Sequence, residues 1–198
     1  ALHRKVVAVL GVADSLRDTS TKAVARLRSM VSSVHIVSGD RLAAVQATAT
    51  RVGIEHVTAG VLPSEKADAI QRLQQTGAVV AMVGDGINDA PALAVADIGM
   101  AMGGGTDIAK ATADVTLVRN DLDQVVEAIA TARATMQIIR QNLALAFLYN
   151  VIGIPIAAGV LIPAFGIQLH PMFAAAAMAL SSLTVVMNAL RLRLFEHS

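Results

Sequence analysis

From Leu143 to Leu190 the chain carries no Asp, Glu, Lys or Arg. A hydrocarbon layer about 30 Å thick takes about 20 apolar residues of helix to cross, and the stretch holds two such runs, Leu143–Ile162 and Pro171–Leu190. A buried core helix would need only one run, so the pair predicts a membrane hairpin closed by a loop over residues 163–170. Arg133 and Arg140 precede the first run and Arg191 and Arg193 follow the second, whereas the loop has no Lys or Arg. The expected orientation puts both ends in the cytoplasm, with a multi-pass protein in the plasma (inner) membrane. The position of the apolar runs excludes a secretory signal, and no targeting sequence is visible.

Nearly all the charges lie before Leu143 and are mixed in sign, with a net charge of +1. Scattered basic residues and 3% aromatics give no nucleic-acid-binding pattern. With no cysteine, the chain has neither a disulfide framework nor a thiolate metal site of its own.

Within residues 1–120, short β-branched runs alternate with longer amphipathic stretches, the pattern of a parallel sheet with helical crossovers. Strands are expected at Lys5–Val12, Val34–Val37, His56–Ala59, Val79–Val83, Ile98–Ala101 and Val115–Val118, with Gly53, Gly77, Gly84 and Gly103 at turns. Asp121 with Gln124 reads as a capping box that starts a stalk over residues 121–142. No Gly or Pro follows until Gly153, so the stalk should run into the first apolar helix; residues 191–198 form a tail.

The segment Val83-Gly84-Asp85-Gly86-Ile87-Asn88-Asp89-Ala90-Pro91 follows an expected strand and opens a helix. Loops at the carboxyl ends of parallel strands form the ligand crevice. Two glycines let the backbone approach a phosphate, Asp85 can ligate Mg²⁺, and Asn88 and Asp89 can hydrogen-bond around it. Taken alone, a Gly-Asp-Gly is equally a turn before a helix cap, and Lys66, with Glu65 and Asp68 nearby, is equally a solvated helix charge.

The run Gly84–Pro91 resembles the hinge motif of the P-type ATPases, within the haloacid-dehalogenase-like superfamily. Ser38-Gly39-Asp40 is similar to that family's Thr-Gly-Asp, and Lys66 stands where its phosphate-binding lysine is expected. Asp14, Gly105-Thr106-Asp107 and Gln141-Asn142 also fit, in the expected order along the chain. The resemblance implies an α/β, Rossmann-like haloacid-dehalogenase-type domain, the second half of a phosphorylation domain, followed by the transmembrane α-helical hairpin. It implies catalytic roles for Ser38, Gly39, Lys66, Asp85, Asn88 and Asp89. Asp85 would hold Mg²⁺, Lys66 would stand beside an aspartyl-phosphate derived from ATP, and Ser38 with the Gly39 amide would donate to its oxygens. Serine in place of the family's threonine keeps the hydroxyl and loses a methyl. The family's nucleophile sits in Asp-Lys-Thr-Gly-Thr, and no Asp-Lys-Thr occurs in this sequence. The expectation is therefore a C-terminal part of a pump, inactive alone and completed by an N-terminal portion.

Polar residues in an apolar span usually face a pathway. At 1.5 Å per residue, Asn150 and Ser182 fall at similar depths, about 10 and about 12 Å from the cytoplasmic side, and Met178 lies one turn beyond Ser182. A thioether with neutral oxygens is a soft, uncharged ligand set that suits Cu⁺ better than a hard dication. Taken singly, Met is packing and Ser bonds back to its own helix. Together, Tyr149-Asn150 and Met178-Ala179-Leu180-Ser181-Ser182 resemble the paired signatures of copper-transporting P-type ATPases. The resemblance makes Tyr149, Asn150, Met178, Ser181 and Ser182 ligands of transported Cu(I), with the bilayer and a copper chaperone as partners. The implied function is ATP-driven copper export. A pump for another heavy-metal cation, a membrane-anchored phosphatase and a non-catalytic interaction fragment are the alternatives; the phosphatase would need an Asp-x-Asp nucleophile motif, and the triplet of that form, Asp121-Leu122-Asp123, falls at the start of the expected stalk.

Overall fold

The computed structural model describes residues 16–166 and 171–192, which fall into two units, Ala1–Val126 and Glu127–Ser198. The strand expected at Lys5–Val12, Asp14 and most of the predicted tail lie outside the described residues.

The first unit alternates helix and strand: α1 (Asp18–Met30), β1 (His35–Ser38), α2 (Leu42–Val52), β2 (His56–Ala59), α3 (Pro63–Gln75), β3 (Ala81–Gly84), a short 3-10 helix (Ile87–Asp89), α4 (Ala90–Val95), β4 (Ile98–Ala101), α5 (Asp107–Thr112) and β5 (Val115–Thr116). All the described strand pairings are parallel: β1 with β2, and β3 with β4, which in turn pairs with β5. This is the expected α/β architecture, with the described strands in a two-stranded and a three-stranded sheet.

Local chemistry sets the element ends. Val45, Ala49 and Val52 of α2 are buried at spacings of four and three, one apolar stripe. Gly53 then stops the helix with φ of 81°, a left-handed conformation open to glycine without strain. Pro63 supplies a preset φ at the first turn of α3, and the Glu65 side chain accepts from the Leu62 amide at 2.7 Å. Strand β3 begins at Ala81 rather than Val79, because the Val80 amide donates to the Asp97 carboxylate at 2.8 Å instead of extending a ladder. Gly84 closes that strand instead of forming a turn, and β5 stops at Thr116, leaving Val118 86% exposed. Leu93, Ala101 and Ala109 form a buried core with Met82 and Ala113 against it.

At the turn after β4, a Cβ on Gly103 would lie 2.2 Å from the backbone oxygen of Val118. Neither backbone can retreat without breaking the bond between the Gly103 amide and the Arg119 carbonyl. We expect Gly103→Ala to destabilise the domain by about 2 kcal/mol, within the usual range for forced overpacking, read as a lowered melting temperature of the chain. An unchanged melting temperature would contradict this contact.

Helix α6 (Asp123–Ala157) is continuous over 35 residues, as the absence of early Gly and Pro predicts. Its start differs from the expected capping box. The Asp121 side chain accepts from the Asp123 amide at 3.1 Å, whereas the Gln124 side chain reaches past it to the Arg119 amide. Its end also differs, since the helix stops at Ala157 and not at Ile162. Pro155 is accommodated inside the helix, and Gly159, with φ of 90°, turns the chain into a short helix α7 (Ile162–Phe165). Helix α8 (Pro171–Leu190) matches the second predicted run. Among the described residues, one helix, Asp123–Ala157, is long and apolar enough to cross a membrane; the apolar stretch Ala176–Leu190 of α8 is shorter.

Candidate functional site

Strand β3 delivers Asp85 to the carboxyl edge of the three-stranded sheet, where three neighbouring segments hold its backbone. The Met102 amide donates to the Gly84 carbonyl at 2.9 Å, and the Thr106 amide to the Asp85 carbonyl at 2.8 Å. From the other side, Asp89 Oδ2 accepts from the Asp85 and Gly86 amides at 3.4 and 3.3 Å. Glycines make this packing possible. A Cβ on Gly84 would meet the Asp89 Cβ at 2.7 Å, and one on Gly105 would meet the Asp85 carbonyl oxygen at 2.8 Å.

Asp89 is the hub of the loop. Its Oδ1 accepts from Lys66 Nζ at 2.6 Å, and the two side chains are only 13% and 14% exposed. Helix α3 thereby donates its lysine to the turn that follows β3. With one oxygen on Lys66 and the other on two amides, Asp89 is committed to the protein. Asp85 is the reverse case: its backbone is anchored on all sides, yet its residue is exposed and its carboxylate accepts no hydrogen bond from the described residues. Asn88 is exposed beside it.

The loop after β1 is built differently. Ser38 Oγ donates to Asp40 Oδ2 and accepts from the Asp40 amide, both at 3.1 Å. The Gly60 and Val61 amides, following β2, donate to the Asp40 and Ser38 carbonyls at 2.9 and 3.2 Å. Gly39 passes so close to Val61 that a Cβ would sit 3.1 Å from its carbonyl oxygen. Helix α3 touches both β1 and the 3-10 helix, so it borders the Ser38 loop and the Asp85 loop together.

These donors fit Mg²⁺, which takes one or two carboxylates and fills its other positions with water and phosphate oxygens. Asp85 supplies such a carboxylate on a fixed backbone; among the described residues no group of three or more acidic, His or Cys side chains forms a fuller cage. Thr106 and Gly105 as braces of Asp85 are the residues that motif reading did not place, although Gly105-Thr106-Asp107 signalled that loop. A second missed feature lies at the opposite strand ends, where the rings of His35 and His56 stack at 4.4 Å. Burial, and then the neighbouring His56, hold His35 below the ordinary histidine range.

In the second unit, Tyr149 and Ser181 are partly buried, whereas Asn150, Ser182 and Met178 are exposed, Met178 at 71%. Asn150 Nδ2 donates to the Ala146 carbonyl at 3.0 Å and Ser182 Oγ to the Met178 carbonyl at 3.3 Å, the back-bonding usual for such side chains in helices. That leaves the Asn150 Oδ1 and the Met178 thioether without partners among the described residues.

Residues 1–97 match the family model of the haloacid dehalogenase-like hydrolases. A probable copper-transporting ATPase, PacS, of Synechocystis sp. is 53% identical over 98% of this chain, which covers 26% of that protein. A copper-exporting P-type ATPase of Vibrio cholerae is 54% identical over 93% of this chain and 20% of its own length. The crystal structure of a zinc-transporting PIB-type ATPase in an E2.Pi state superposes with a TM-score of 0.77 at 38% identity, over 90% of this chain and 28% of that one.

The fold is that of a haloacid-dehalogenase-like domain. Within that class, the chain is similar over nearly its whole length to parts of copper-transporting P-type ATPases. It spans about a quarter of the length of the curated relatives it matches.

Proposed function

We propose that this chain is the C-terminal portion of an ATP-driven, copper(I)-exporting membrane pump. The observation that carries the first half of this reading is the Asp85 loop, a carboxylate that accepts no hydrogen bond from the described residues, on an immobilised backbone beside the Lys66–Asp89 pair. In phosphoryl transfer the protein positions groups and neutralises charge rather than forming many bonds. Asp85 would hold Mg²⁺, which when bound screens charge on the transferred phosphoryl group. Lys66, fixed by Asp89, would place its ammonium beside that group, while Asn88 and the Gly39 amide would orient its oxygens, joined by Ser38 once its hydroxyl proton leaves the Asp40 carboxylate. The aspartate that accepts phosphate belongs to the part of the pump outside this sequence, and one carboxylate cannot both ligate Mg²⁺ and attack in line.

The cargo half rests on the apolar stretch. Residues 143–190 contain no carboxylate and no lysine, which argues against a hard dication. Tyr149, Asn150, Met178, Ser181 and Ser182 would present sulfur and neutral oxygens to Cu⁺ on a hairpin formed by the outer part of α6 and by α8, with residues 121–142 as the stalk. The relatives named for copper support this choice over the zinc named for the solved neighbour.

The test is metal-stimulated ATP hydrolysis by the complete pump. Met178→Ala should lower Cu⁺ stimulation at least tenfold while phosphorylation by inorganic phosphate persists. Undiminished Cu⁺ stimulation, or stimulation of the unsubstituted pump by Zn²⁺ alone, would reject the cargo assignment.

A further inference from the structure

Helices α6 and α8 are joined by polar side chains. Asn188 Nδ2 donates to Asn142 Oδ1 at 2.9 Å and to Gln141 Oε1 at 3.3 Å. Its own Oδ1 accepts from Arg191 Nη1 at 3.1 Å. Both ends of one amide are therefore used, and the two helices are joined by residues 46 apart in sequence. Asn142 and Asn188 also lie on the partly buried stripe of each helix, which continues through Leu145, Ala146 and Tyr149 on α6 and through Val185, Thr184 and Ser181 on α8. Spacings of three and four keep these residues on one face.

We infer that the Asn142–Asn188 clasp is a positioning device that sets the axial register of the two helices, so that Tyr149-Asn150 and Ser181-Ser182 come to one level. Tyr149 and Ser181 each stand seven residues from their clasp residue, about 10 Å along their helices at 1.5 Å per residue. Asn150 stands about 12 Å and Ser182 about 9 Å from it. A slip of one helical turn, about 5.4 Å, would separate the two sets. Apolar side chains alone define register poorly in lipid, because the lipid is as apolar as the partner helix; a directional hydrogen bond supplies what they lack. The inference rests on the hairpin reading above, and its test separates the two.

The chain has no cysteine, so pairs can be introduced on a clean background. Leu145→Cys with Val185→Cys, one turn beyond the clasp on each stripe, should give one dominant product with a short bis-maleimide in lipid nanodiscs. Adding Asn188→Leu should reduce that product and raise the turn-shifted pair Leu145→Cys with Ser181→Cys, whereas Asn142→Asp, which keeps an acceptor for Asn188, should preserve the original pattern. In the complete pump, Asn142→Leu should raise the Cu⁺ concentration for half-stimulation roughly three- to tenfold, the range that fits hydrogen bonds of membrane helices, and Asn142→Asp should restore it. Phosphorylation by inorganic phosphate should not change in either. An identical cross-linking pattern in Asn188→Leu overturns the register role, as does an Asn142→Asp variant as impaired as Asn142→Leu. Failure of the unsubstituted chain to insert into bilayers overturns the hairpin reading instead.

Discussion

Replacing Asp85 by alanine in the complete pump should abolish phosphoenzyme formation from ATP, a loss of at least a hundredfold. The reason lies in the division of labour between two acidic residues four positions apart. Asp89 commits both oxygens to the protein, one to Lys66 and one to the Asp85 and Gly86 amides. Asp85 commits none of its side-chain oxygens to the described residues, while its backbone is held by Thr106 and by Asp89. A carboxylate so placed adds nothing to folding that alanine would remove, so the domain should melt at an unchanged temperature. Removing the charge-screening metal from phosphoryl transfer costs several kcal/mol of transition-state stabilisation. Acid quench of the pump with labelled ATP reads the outcome. Persistent phosphoenzyme in Asp85→Ala would remove this residue from the reaction.

Lys66→Ala should show the opposite balance, a loss of both stability and activity. The pair it breaks is short, at 2.6 Å, and largely screened from water, so a carboxylate oxygen would be left unpaired in a poorly solvated site. Removing one partner of such a pair typically costs about 3 kcal/mol or more. The double variant Lys66→Ala with Asp89→Ala should be less destabilised than the sum of the single ones, because the first substitution has already removed the second residue's partner. Asp89→Ala alone should also loosen the Asp85 loop, since the Asp85 and Gly86 amides lose their acceptor. Additive losses in a double-mutant cycle, followed by thermal melting, would show that the contact is not energetically coupled.

Much of the architecture was legible along the chain because it depends on short-range chemistry. The strand His56–Ala59 and the strand Ile98–Ala101 fall where alternation of β-branched runs and helical stretches put them. Helix α6 runs without interruption from Asp123 because no Gly or Pro occurs in it before Gly153. Boundaries were less legible wherever a side chain competed for a backbone group. Asp97 takes the Val80 amide and shortens β3, and Gln124 bonds the Arg119 amide where a local box would have used Asp121. The apolar run Leu143–Ile162 looked like one helix because apolar residues continue through Gly159; the left-handed glycine, invisible to a hydropathy count, ends it early.

By itself the sequence determined the order of elements, the presence of a long uncharged stretch and the residue types available for phosphoryl transfer and for a soft ion. Each of these follows from periodicity, composition or motif spacing, which are local properties. Only the tertiary structure decided that Asp89 is structural while Asp85 is open, that Lys66 crosses from α3 to serve the turn after β3, and that Asn188 meets Asn142. Those choices join residues 23 and 46 positions apart, and no local pattern encodes which of several carboxylates or amides a distant side chain will reach. Packing sets those distances, and with them the division between residues that hold the fold and residues left available for chemistry.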